Sequence, residues 1–142
     1  MIALINAMTP MTGVLTGGQP TEAQLVEMRD AGYQTIINLR GSGEPGTDVE
    51  PGIVSHLGLT YHHLPIAGAA GITRENATEF ARILDESEKP VVVHCASGNR
   101  VGALFALRAG ILEGRSVNDA IMVGRSAGLT GLEVYVRQLL DV

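Results

Sequence analysis

The sequence is poor in cysteine, in aromatic side chains and in charge. Its one cysteine, Cys95, rules out an intramolecular disulfide and suits a reducing compartment. Aromatic residues make up 4%, with no Trp, so there is no stacking platform for nucleic-acid bases. Lys and Arg number 10 against 15 Asp and Glu, and no stretch gathers the basic ones. At a net charge of −5 the chain lacks the footprint of a nucleic-acid binder or of a protein that docks on an acidic membrane. No run approaches the roughly 20 apolar residues that cross a bilayer. Met1-Ile2-Ala3-Leu4-Ile5-Asn6-Ala7 has neither the basic lead nor the apolar length of a secretion signal, so the expected location is the cytoplasm. None of the 4 His has ligand spacing with Cys95, so neither a metal nor a cofactor is expected.

What is present is a globular composition: 142 residues, 45% hydrophobic, enough for one domain over 1–142 with a real core. Residues 1–20 read as irregular, with room for one short strand. Thr21 and Gln24 form a capping box before a helix over 22–31 that Gly32 ends. Thr35 to Leu39 is a buried strand, and 41–51 a polar loop rich in Gly and Pro. A short helix over 52–57 precedes a strand from Leu59 to Leu64, stopped by Pro65. Thr73 caps a helix over 74–86, with Ala77, Phe80, Ala81 and Leu84 at helical spacing. Pro90 opens the all-apolar strand Val91-Val92-Val93, expected at the sheet centre. A buried helix over 100–112 follows. Ser116 caps a helix to 126, and Thr130 with Glu133 caps a last one to 140. This alternation predicts an α/β domain with a mainly parallel central sheet flanked by helices. The loops after Leu39, Leu64 and His94 should share the rim where such sheets collect ligands.

One of those loops carries chemistry. The apolar strand runs into His94-Cys95-Ala96-Ser97-Gly98-Asn99-Arg100 and then into a helix. Loop N–H groups and the helix N-terminus make an anion cradle. Gly98 permits a turn that a side chain resists, and Arg100 brings a planar fork for two oxygens. This field favours the thiolate of Cys95, which can attack phosphorus or carry sulfur. His94 reads as a support for the loop rather than a proton carrier. His62 and His63 share a strand and face opposite ways, so at least one only packs or meets solvent. Glu44, Asp48 and Glu50 lie within reach of the rim, but each reads first as a solvated loop charge.

The loop resembles the signature of cysteine-dependent phosphatases. Gly18-Gln19-Pro20, Ile37-Asn38-Leu39-Arg40 and Tyr61-His62-His63-Leu64-Pro65-Ile66 are similar to the beta-lactamase-hydrolase-like phosphatase family, related to the dual-specificity phosphatases. The resemblance runs from about 14 to 110 and implies a cysteine-phosphatase-like fold. It implies that Cys95 forms a phosphocysteine. Arg100 and the amides of Ala96, Ser97, Gly98, Asn99 and Arg100 would hold the phosphoryl oxygens, with Arg40 among the substrate-binding residues. The expected partner is a phosphorylated small molecule or phosphoprotein.

Three features depart from that pattern. Four residues separate Cys95 from Arg100, where tyrosine phosphatases have five, and this shorter loop also resembles the rhodanese sulfurtransferases. Val101 stands where a Ser or Thr usually follows the arginine. The loop Ile66-Ala67-Gly68-Ala69-Ala70-Gly71 lacks the family's acidic residue. Two alternatives therefore stand beside the phosphatase: a sulfurtransferase that takes sulfur from a donor onto Cys95, and a weakly active phosphate-binding module.

Overall fold

A computed structural model describes residues 2–141. Its layers follow from the two-residue period of the strands. In β5 (Val91–His94), Val91 and Val93 pack into an apolar cluster with Phe80, Leu104 and Phe105, while Val92 packs into a second cluster with Leu25, Met28 and Val54. In β3 (Thr35–Arg40), Ile37 and Leu39 join the first cluster and Ile36 the second. Both faces are thus covered. Helices α1 (Glu22–Asp30) and α2 (Glu50–His56) lie on one side; α3 (Arg74–Glu86), α4 (Asn99–Leu107), α5 (Val117–Ser126) and α6 (Glu133–Leu140) lie on the other. Phe80 and Phe105 meet edge to face at 5.2 Å, locking α3 to α4.

The five-stranded sheet has the order β1-β2-β5-β3-β4, with β1 (Met8–Met11), β2 (Val14–Gly17) and β4 (Thr60–Ile66) completing it. Only β1 runs antiparallel. The apolar β5 is central, as its composition predicts. The capping box of Thr21 with Gln24 forms, and Thr73 and Ser116 accept the N–H groups of Asn76 and Asp119.

Four readings of the sequence are corrected. The amino-terminal segment holds two strands rather than one, because strands of four residues are too short to show a period. Strand β4 runs through Pro65; it is an edge strand, where a missing N–H breaks no ladder. The helix after the cysteine loop gives way at Arg108–Leu112 to a π-helical turn, beside Gly110, where a Cβ would stand 2.7 Å from Leu140 Cδ2. Thr130 does not cap α6: its N–H donates to Asn99 Oδ1, and Leu132 takes the cap position without a side-chain bond.

Helices α4 and α5 cross through glycines. A Cβ on Gly102 would lie 2.0 Å from Leu129 N, and one on Gly124 would lie 2.8 Å from Ala106 Cβ. The backbone of Leu129 therefore rests directly on α4, and the loop it belongs to is tied to Asn99 at the start of that helix. Gly102→Ala should lower stability by at least the ~1–3 kcal/mol of an overpacked core. Urea unfolding measures it, and an unchanged midpoint would show that α5 can move away at no cost.

Candidate active site

Where β5 ends, successive side chains part. Cys95 continues the face of Val91 and Val93 and lies 1% exposed against α4, whereas His94 turns to the opposite side, toward Glu50 of α2. The chain then rounds the loop with the carbonyls of Ala96 and Ser97 outward. Ala96 O accepts from Gln19 N at 3.2 Å, and Ser97 O accepts from Asn6 Nδ2 at 2.9 Å. In a trans peptide the following N–H points the other way. The N–H groups of Ser97 and Gly98 therefore point into the loop, and the Gly98 N–H donates to Cys95 Sγ at 3.1 Å. Gly98 has φ +97°, a left-handed conformation that a Cβ resists, and it hands the chain to α4. Gly18 makes the outer wall possible, since a Cβ there would stand 2.4 Å from Ala96 O. The result is a cradle of inward N–H groups at a helix N-terminus with a sulfur at its base.

Arg100 closes the cradle and is itself clamped. Its Nη1 donates to Glu44 Oε2 at 2.6 Å and to Ile66 O at 2.8 Å; its Nη2 donates to Glu44 Oε1 at 2.8 Å. These bonds use the end-on face of the guanidinium. On the side-on edge, Nε and the second Nη2 hydrogen make no oxygen contact among the described residues, and two parallel donors suit two oxygens of a tetrahedral anion. The contact joins the loops that leave β3, β4 and β5, which is the shared rim the topology predicts. Glu44 is held far below its ordinary value, at about 2. The Arg100 bond is the main cause; partial burial opposes it, and the Gly41 N–H and Arg40 add to it. Arg100 shifts the opposite way, upward, through Glu44 first, against burial and with help from Cys95.

Beneath the loop a polar chain runs through the protein. His94 Nε2 lies 2.7 Å from Glu50 Oε2, and Gln19 Nε2 donates to Glu50 Oε1 at 2.7 Å. Arg40 Nη1 donates to Gln19 Oε1 at 2.8 Å and to Pro45 O at 2.6 Å, and its Nε reaches Glu44 at 3.3 Å. The series His94, Glu50, Gln19, Arg40, Glu44, Arg100 thus links one end of the cysteine loop to the other.

The structure brings together Cys95, Arg100 and the amides of 96–100. It places Arg40 7% exposed, with Nε on Glu44 and Nη1 on Gln19 and Pro45. Asn99 turns its side chain away from the cradle, onto the N–H groups of Thr130 and Leu132, and so offers the loop only its backbone. Val101 is fully buried. His63 Nε2 lies 2.7 Å from Arg40 O, bracing β3. Of the three acidic residues read as solvated, Asp48 is exposed, but Glu44 clamps Arg100 and Glu50 is 2% exposed against His94. The sequence offered one signal for this pair: two carboxylates in a loop that leaves the carboxyl end of a strand. Gln19 and Asn6, which brace the cradle from outside, gave none.

A mainly parallel sheet whose central strand ends in such a cysteine cradle, closed by an arginine from the next helix, is the fold of the cysteine-dependent phosphatases. The structure of a putative phosphatase from Neisseria meningitidis Z2491 superposes with a TM-score of 0.78 at 26% identity, over 94% of this chain and 95% of that one. The core catalytic domain of the PP-IP phosphatase SIW14 from S. cerevisiae shares the fold, with a TM-score of 0.73 at 17% identity over 100% of this chain and 87% of that one. Residues 6–132 match the family described as DSP-PTPase phosphatase fused to NAD+ kinase, and the chain belongs to it. It is 36% identical over 108 residues to the beta-lactamase hydrolase-like protein of Xylella fastidiosa, covering 73% of this chain and 25% of that protein, so it spans about a quarter of that relative.

The clamp has a pH signature. Because Glu44 is pulled below its ordinary 4.5, its contribution to stability is complete above that value and is lost as pH falls toward about 2. Glu44→Gln should lower the Tm at neutral pH and flatten its dependence on pH in that acidic window. Parallel curves for the two proteins would show that Glu44 is not ionised against Arg100.

Proposed function

We propose that the chain hydrolyses phosphate monoesters through a phosphocysteine on Cys95. The observation that supports this most directly is the Gly98 N–H on Cys95 Sγ, within a loop whose Ala96 and Ser97 carbonyls turn outward. The thiolate attacks phosphorus; the P–O bond to the leaving group breaks and the electron pair leaves on oxygen. The side-on edge of Arg100 and the amides of 96–100 hold the three phosphoryl oxygens as charge spreads over them. Water then attacks the phosphocysteine, releasing inorganic phosphate and restoring the thiolate.

The leaving oxygen needs a proton, and the site is short of a donor. Residues 67–71 carry no carboxyl group, and Glu44, held ionised by Arg100, has no proton to give. A general acid supplies about 10²–10⁴-fold, so substrates whose leaving group is already a weak base are favoured. The family and the similar structures are phosphatases by description, which does not favour the sulfur-carrying reading.

Aryl phosphate should be turned over far faster than alkyl phosphate, by about the 10²–10⁴-fold that an acid contributes. Cys95→Ser should abolish both activities. Arg100→Lys should lose most activity with the fold intact, because an ammonium cannot copy the fork. Vanadate should protect Cys95 from iodoacetamide in the wild type and much less in Arg100→Lys. No Cys95-dependent hydrolysis, together with a thiosulfate adduct one sulfur heavier that passes to cyanide, would overturn the proposal.

A further inference from the structure

We infer that Glu50 is a positioning residue for the nucleophile: acting through His94, it places a buried cation behind Cys95. The inference rests on the reading of Cys95 as nucleophile and adds a residue that touches neither sulfur nor substrate. Strand alternation supplies the geometry. His94 is the residue before Cys95 and faces the opposite side of the sheet, so its ring lies fully buried against α2. There both ring nitrogens meet acceptors: Nε2 lies 2.7 Å from Glu50 Oε2, and Nδ1 lies 3.3 Å from the Cys95 carbonyl. An imidazole can donate from both nitrogens only when both carry protons. The neighbouring carboxylate makes that doubly protonated state affordable in the interior.

Glu50 is placed to remain a carboxylate. Its second oxygen accepts from Gln19 Nε2 at 2.7 Å, and that same Gln19 carries Arg40, whose positive charge lies nearby. Burial alone pushes it upward, but His94, Gln19 and Arg40 outweigh burial and the net shift is downward. The groups that face Glu50 are His94 from β5, Gln19 from the β2–α1 turn, Arg40 from β3 and Tyr61 from β4. Those that face Cys95 are the Gly98 N–H and Arg100. The cation behind Cys95 thus acts in addition to Arg100, and Glu50 is what holds it there.

Glu50→Gln keeps the shape and removes the charge. Without the carboxylate, His94 releases one ring proton and the thiolate loses a nearby positive charge. The midpoint of Cys95 alkylation by iodoacetamide should rise by about one pH unit, which slows alkylation about tenfold below both midpoints. For aryl phosphate, kcat should fall while KM changes little, since the phosphate contacts remain. In a His94→Asn background the same substitution should no longer move the midpoint, because the residue through which Glu50 acts is gone. If Glu50→Gln fails to fold, nitrogen NMR of the wild-type imidazole decides: both His94 ring nitrogens should carry protons at neutral pH. A singly protonated His94, or an unchanged alkylation midpoint in folded Glu50→Gln, would overturn the inference. The alkylation and NMR readouts use no phosphate ester. A shifted midpoint without phosphatase activity therefore removes the phosphatase reading and keeps this one; phosphatase activity with an unshifted midpoint does the reverse.

Discussion

A β-strand cannot put two consecutive side chains on the same face, and the site depends on that constraint at the end of β5. His94 must turn toward α2 if Cys95 turns toward α4. The sulfur is therefore approached from the α4 side, where inward N–H groups and Arg100 wait, while the ring of the preceding residue anchors the loop from behind. A register slip of one residue would exchange the two and bury the thiol against Glu50. Parallel pairing on both sides of β5, with β2 and with β3, holds that register.

The second constraint is electrostatic. Burying an ionised group costs several kcal/mol unless it is paired. This chain brings His94 and four charged side chains, Glu50, Arg40, Glu44 and Arg100, to one end of the sheet, the four alternating in sign and Gln19 bridging Glu50 to Arg40. Each charge compensates its neighbours, and the Arg100 fork is held in place by Glu44 and Ile66 O. A fork already in place loses less side-chain entropy on binding. The chain also explains why Arg40, at the end of β3, is buried: it supports the clamp from below.

Close backbone approach is the third element. Gly18 lets the β2–α1 turn lie on the cysteine loop, and Gly102 with Gly124 lets the turn before α6 lie on α4. Asn99 then ties that turn to the first residue of α4. The cradle is braced on three sides by backbone that comes close only where Cβ atoms are missing.

The long periodic helices, the apolar β5, the capping box at Thr21 and the strand–loop–helix passage through Cys95 were legible in the sequence, because each is written in residues adjacent or a few positions apart. The four-residue strands β1 and β2 were not, being shorter than the window a period needs. Pro65 misled because its cost depends on whether its strand is an edge, a property of the sheet and not of the strand. Thr130 misled because Asn99, 31 residues away, claimed its N–H. The roles of Glu44 and Glu50 lay wholly outside local pattern: a loop carboxylate is solvated by default, and only the return of the chain from β3 brings Arg100 and His94 within 2.6–2.7 Å of them. By itself the sequence determined an α/β fold and a cysteine loop between strand and helix, since short-range periodicity and turn chemistry act through neighbours in the chain. Which charges hold that loop was decided only by tertiary structure, because hydrogen bonds and ion pairs act over a few ångströms of space, whatever the separation in sequence.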